Sequence, residues 1–142
     1  TTSDSSLSAC TQSILAAETG YEHKALMYFQ YALFMDLANV AGNVVDGVHI
    51  ASTGGVWLAL THGFGGMRAY QGKLTFDPRI PRTWGGIRFS VRFNDSFVKV
   101  ALSHEMYRFE LLEGDAIDFR VCGKEYHLAA GSPLEIDGCS TL

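Results

Sequence analysis

The apolar positions of this chain change rhythm once, close to Gly66. Upstream of it they recur at helical spacing, and downstream they alternate. Leu7, Cys10, Ile14, Leu15 and Ala17 mark a first helix, for which Gly20 supplies a stop. From Tyr21 to about Leu37 the rhythm restarts through Ala25, Tyr28, Phe29, Ala32, Leu33 and Met35. So short a link predicts two helices packed antiparallel. A polar-speckled connection, Ala38 to Asp46, leads into Gly47 to Gly66, which reads as a third helix with Ile50, Gly54, Trp57, Leu58 and Thr61 on one side. Its adjacent glycines, Gly54 and Gly55, each cost about 1 kcal/mol relative to Ala in a helix interior. Their presence implies close approach of the backbone to a neighbouring helix or to a ligand. Helices with so small a face do not close a bundle by themselves and look like part of a larger helical array.

Beyond Gly66 a loop leads to Lys73–Asp77. Pro78 and Pro81 then bar helix and mark an extended crossing segment. From Gly86 the alternation is clean: Ile87, Phe89, Val91 and Phe93 fall on one face, Arg88, Ser90 and Arg92 on the other. Asn94-Asp95 makes a turn, and Phe97 to Leu102 returns. Tyr107, Phe109 and Leu111 mark a third strand, Glu113-Gly114-Asp115 turns, and Ile117, Phe119 and Val121 mark a fourth. Glu125–Ala129 and Leu134–Ile136 complete a small antiparallel sheet or sandwich. The fold class is therefore α+β, with helices over residues 1–70 and a small β domain over residues 71–142.

A length of 142 residues suits one domain, or a helical piece with a β module. The formal charge of −4 gives no electrostatic reason to expect nucleic acid or an acidic membrane surface as a partner. Apolar runs fall short of the roughly 20 residues that span a bilayer. Cys10, Cys122 and Cys139 are odd in number and widely spaced, which reads as reduced thiols in a cytoplasmic setting. The chain opens at Thr1 without an initiator methionine, which suggests a piece of something longer.

Candidate chemistry is sparse. Thr1-Thr2-Ser3-Asp4-Ser5-Ser6 places side-chain oxygens before a helix, suited to N-capping or, with free N–H groups, to a phosphate. His49 stands at the entrance of the third helix, where the same two readings apply: a capping or core histidine, or a neighbour to an anion. Asp36 reads as solvated or capping. Asp4, Glu18, Glu22, Asp36 and Asp46 are too scattered to form a general-acid pair. Arg88, Arg92 and Arg120 read as a solvated face opposite acidic neighbours, and His104 and His127 as surface or strand histidines. No nucleophile elbow, Walker loop, dinucleotide glycine pattern or zinc signature occurs.

The ordered set Asp4-Ser5-Ser6-Leu7-Ser8, Asp46-Gly47-Val48-His49-Ile50-Ala51-Ser52, Gly63-Phe64-Gly65-Gly66-Met67-Arg68 and Leu74-Thr75-Phe76-Asp77-Pro78-Arg79-Ile80-Pro81 with Trp84 resembles the C-terminal portion of glycoside hydrolase family 65. That family contains maltose, trehalose and kojibiose phosphorylases and some trehalases. The resemblance implies the terminal helices of an (α/α)6 barrel followed by a small β module. It implies an inverting α-glucosyl disaccharide phosphorylase, in which inorganic phosphate, the co-substrate, releases β-glucose 1-phosphate and glucose from a trehalose- or maltose-like α-glucoside. Carried over residue by residue, the phosphate contacts are Ser5, Ser6 and His49. The catalytic acid, a Glu, lies upstream in such proteins, so the chain holds no catalytic residue of its own and would be inert alone. No metal or organic cofactor is implied. The expected partners are the upstream remainder of the polypeptide, the disaccharide and phosphate, with the full-length enzyme a homodimer. Ser3 departs from the pattern, standing where many members carry His. The serine-rich segment leans toward phosphorolysis, since a hydrolase needs a carboxylate base to activate water. The alternatives are a trehalase-type hydrolase of the same family, and a non-catalytic β-sandwich module holding sugar on Trp84 or Tyr107.

Overall fold

The computed structural model describes residues 7–39, 42, 45 and 47–139. The chain divides into two compact units, with the boundary between Phe64 and Gly65.

The first unit is helical. Helix α1 (Ser8–Glu18) ends in a Schellman motif: Gly20 takes φ +79°, its N–H donates to the Ala17 carbonyl, and the Tyr21 N–H donates to that of Ala16. Helix α2 (Glu22–Leu33) returns along it, and the buried Ser13 hydroxyl donates to the Ala25 carbonyl at 2.9 Å. The predicted antiparallel pair is thus present.

Helix α3 (Ile50–Leu58) runs on into a π-helical stretch (Ala59–Phe64). Cys10 touches the start of α3, while the Gly63 backbone in the π-helical stretch faces Ile14 and Ala17. Contacts that advance together along both elements mean that α1 and α3 run in the same direction. The side of α3 that carries Ile50, Gly54, Trp57 and Leu58 is not the one packed on α1. Ile50, Gly54, Trp57 and Leu58 are exposed, and the helix buries Ser52 and Gly55 instead. The cause is steric. A Cβ on Gly55 would lie 2.5 Å from the Cys10 sulfur, so only glycine lets the two backbones come this close. Ala9, Cys10 and Ala32 form the shared core, with Val56 packed against it, and Phe29 meets Phe64 edge-on at 5.4 Å between ring centroids.

The second unit is a sandwich of two four-stranded sheets. One orders its strands β1 (Arg68–Tyr70), β2 (Lys73–Phe76), β6 (Ala116–Val121) and β7 (Lys124–Ala129). The other orders β3 (Ile87–Phe93), β4 (Ser96–Leu102), β5 (Met106–Glu113) and β8 (Leu134–Asp137). All pairings are antiparallel except β2 with β6, where Leu74, Thr75 and Phe76 lie beside Phe119, Arg120 and Val121 in parallel register. The alternating residues read from sequence do face inward: Ile87, Phe89, Val98, Val100, Tyr107, Phe109, Phe119 and Val121 are buried. Phe76 and Phe119 from one sheet meet Phe109 from the other at centroid distances of 5.2 and 4.7 Å. At such separations aromatic pairs add about 0.5–1.5 kcal/mol beyond their burial.

Three features depart from expectation. The segment after Gly66 is a strand, β1, joined to β2 by Gln71 and Gly72 at φ +51° and +75°, where the expectation was a loop. The sheets are not wholly antiparallel. Cys122 and Cys139 form a disulfide, which corrects the reading of three reduced thiols and removes the basis on which a cytoplasmic setting was inferred. Folding brings their Cα atoms to 6.6 Å, within disulfide range, a proximity that spacing along the chain does not reveal. Cys10 alone stays a free, buried thiol, and burial pushes it above the usual thiol range.

Candidate functional site

The site begins from the two helix starts. Cys10, the third residue of α1, approaches the carbonyl of Ser52, the third residue of α3, with its sulfur 3.6 Å from that oxygen. Two helices running the same way and touching at their third residues bring their N-terminal ends together. Each end carries N–H groups without intrahelical partners and the positive pole of the helix dipole. Of the three residues expected to hold phosphate, His49 lies at this junction as the N-cap of α3, while Ser5 and Ser6 lie outside the described residues.

His49 is held by Asp36, a residue that sequence reasoning assigned only a solvated or capping role. Its carboxylate instead engages His49 twice. One carboxylate oxygen accepts the His49 backbone N–H at 2.9 Å, and the other lies 2.6 Å from imidazole Nδ1. The His49 carbonyl accepts from the N–H groups of Ser52 and Thr53 and so starts the helix. The imidazole and the backbone N–H together hold the Asp36 carboxyl below the ordinary carboxylate range. An ionised carboxylate only accepts, so Nδ1 carries the proton in this contact, and Nε2 is a donor only in the doubly protonated ring. Both side chains are about one-fifth exposed, which shields the pair without sealing it from solute.

Downstream, the π-helical stretch buries Thr61, whose hydroxyl donates to the Trp57 carbonyl at 2.9 Å and lies 3.0 Å from His62 Nδ1. A wider turn of this kind accommodates an extra residue at the end of α3.

Among the described residues the β unit offers no comparable constellation. Arg92 pairs with Glu113 at 2.7 Å, Arg120 with Glu125 at 2.7 Å, and Arg108 with Glu135, all exposed, in keeping with a solvated charged face. His127 pairs with Asp118 at 2.7 Å, and His104 Nε2 meets the Trp84 carbonyl at 3.0 Å. Tyr107 is buried, which removes it as the sugar platform that a carbohydrate-binding module would need. Among the described residues no group of three or more His, Cys, Asp or Glu side chains is arranged to hold a metal ion, and no helix is long and apolar enough to cross a membrane.

Residues 1–58 match the family model described as the glycosyl hydrolase family 65 central catalytic domain, and residues 67–136 match that of the family 65 C-terminal domain. The chain is 45% identical over 131 residues to an alpha,alpha-trehalose phosphorylase of Thermoanaerobacter brockii, covering 92% of this chain and 17% of the relative. It is 39% identical to an alpha,alpha-trehalose phosphorylase of Geobacillus stearothermophilus, over 96% of this chain and 18% of the relative. A maltose phosphorylase of Bacillus subtilis is 36% identical over 85% of this chain and 16% of its own length. A solved structure from the human microbiome, provisionally named a kojibiose phosphorylase, superposes with a TM-score of 0.89 at 26% identity, over 99% of this chain and 20% of that one. The chain therefore spans under a fifth of the curated relatives it matches.

Proposed function

Since the chain belongs to glycosyl hydrolase family 65, with residues from its central catalytic and C-terminal domains, we propose that it is the C-terminal part of a disaccharide phosphorylase and supplies that enzyme's phosphate site. The observation that carries this reading is the convergence of the α1 and α3 starts, with His49 at the α3 N-cap and its ring held by Asp36. Converging helix N-termini favour an oxyanion through unpaired N–H groups and the dipole. Serine hydroxyls from Ser5 and Ser6 would add donors, and His49 Nε2 a further one when the ring is protonated.

In this mechanism a phosphate oxygen attacks the anomeric carbon of an α-glucoside such as trehalose or maltose, from the face opposite the leaving sugar. The new carbon–oxygen bond forms as the glycosidic bond breaks, and an upstream Glu gives its proton to the departing glucose oxygen. The products are β-glucose 1-phosphate and glucose. The helical unit then forms the closing part of the (α/α)6 barrel: α1 and α2 make one hairpin, and α3 opens the next. The trehalose phosphorylases among its relatives favour trehalose as the disaccharide.

The test uses the full-length parent enzyme. His49→Ala and Ser6→Ala are each expected to raise the KM for phosphate about tenfold or more, since hydrogen bonds to a charged group contribute roughly 1.5–3 kcal/mol. An unchanged phosphate KM, or disaccharide cleavage that proceeds equally well without phosphate, would refute the site.

A further inference from the structure

We infer that Asp36 is a positioning residue for phosphorolysis, one that sets the orientation of His49 toward phosphate. This rests on the reading of His49 as a phosphate contact. The carboxylate makes two separate contacts to one residue, the backbone N–H at 2.9 Å and ring Nδ1 at 2.6 Å. The first holds the main chain at the α3 N-cap; the second holds the side chain. Together they tie down both the main chain and the ring of His49. Holding the main chain needs only the first contact. The second engages Nδ1, so that in the protonated ring the Nδ1–H donates to Asp36 and the Nε2–H is the donor for the anion.

Asp36 stands on the turn after α2, thirteen residues before His49, so the contact joins the end of the first helical hairpin to the start of α3. A carboxylate placed directly against incoming phosphate would repel it. Here each carboxylate oxygen is engaged by His49, one by the backbone N–H and the other by ring Nδ1.

The experiment is a double-mutant cycle on phosphate KM in the full-length parent enzyme, with Asp36→Asn, His49→Ala and the combination. Asparagine can still accept the backbone N–H, so the cap is retained while the charge on Nδ1 is lost. Asp36→Asn is expected to raise phosphate KM about tenfold, with the disaccharide KM changed less than about threefold. In the His49→Ala background it should add nothing further to phosphate KM. Asp36→Glu should recover part of the loss. If His49→Ala leaves phosphate KM unchanged, the phosphate-site reading fails. If His49→Ala raises it and Asp36→Asn does not, or if the two effects add in full, the positioning role alone is overturned. Should Asp36→Asn fail to fold, the same cycle with Asp36→Glu decides: a glutamate effect that survives intact in the His49→Ala background overturns the inference, and one that vanishes there supports it.

Discussion

At the scale of single residues, the helical unit is governed by what is missing from two side chains. Gly55 and Ser52 are the buried residues of α3, and at Gly55 the Cys10 thiol lies too close for any side chain. Gly55→Ala would push a methyl group into that sulfur. The expected cost is about 1–3 kcal/mol of stability, typical of overpacking. Gly54→Ala, with nothing within 4 Å of the added carbon, is the control and should be neutral or slightly stabilising. Chemical denaturation of the two variants checks the contrast, and equal effects would show that the close approach is not what holds glycine there. Two adjacent glycines in a helix were enough to announce a close approach. Which one makes it was not legible, because the apolar Ile50, Trp57 and Leu58 point attention to the opposite face. Asp36 was still less legible. Nothing in the spacing of an aspartate and a histidine on either side of an irregular loop says that both oxygens will meet the same residue.

Elements were easier to read where one periodicity dominated. β3, β4, β5 and β6 each carry a clean alternation, and the burial of Phe89, Val100, Phe109 and Phe119 follows it. β1 carries none, since Ala69 and Tyr70 are both exposed. Only its Gln71-Gly72 turn, with both residues at positive φ, could have announced the hairpin. Alternation also says which face is buried but not which neighbour a strand takes, so the parallel pairing of β2 with β6 was invisible. The disulfide lies at this scale too. It joins the β6–β7 turn to the segment after β8, and its seventeen-residue separation implies about 3 kcal/mol of stabilisation on the chain-entropy account. Thiol titration of the denatured chain without reductant is expected to find Cys10 alone, and three after reduction. Three thiols from the start would mean that the bond does not form.

For the molecule as a whole, the exposure of large apolar residues is concentrated in the helical unit and its connection: Leu37, Val48 and Ile50 are 81, 72 and 79% exposed. So high an exposure of large apolar side chains is what an interaction surface would leave uncovered. The chain spans under a fifth of its relatives, and the part matching the central catalytic domain is where this surface lies. Expressed without the preceding polypeptide, the chain is expected to bind a hydrophobic dye strongly and to show no phosphate-dependent sugar release. Turnover by the chain alone would overturn the assignment of the acid to an upstream segment.

The parallel alignment of β2 with β6 has a consequence for the order in which the β unit can be made. A ribosome releases β1 and β2 early, yet β2 must wait for Phe119–Val121 before its second edge is covered. The meander β3–β4–β5 can zip up locally in the meantime, so the sheet written first into the chain is the one completed after its neighbour has begun. Biosynthesis thereby leaves the Leu74–Phe76 edge exposed during the interval in which nascent chains are most prone to pair with one another.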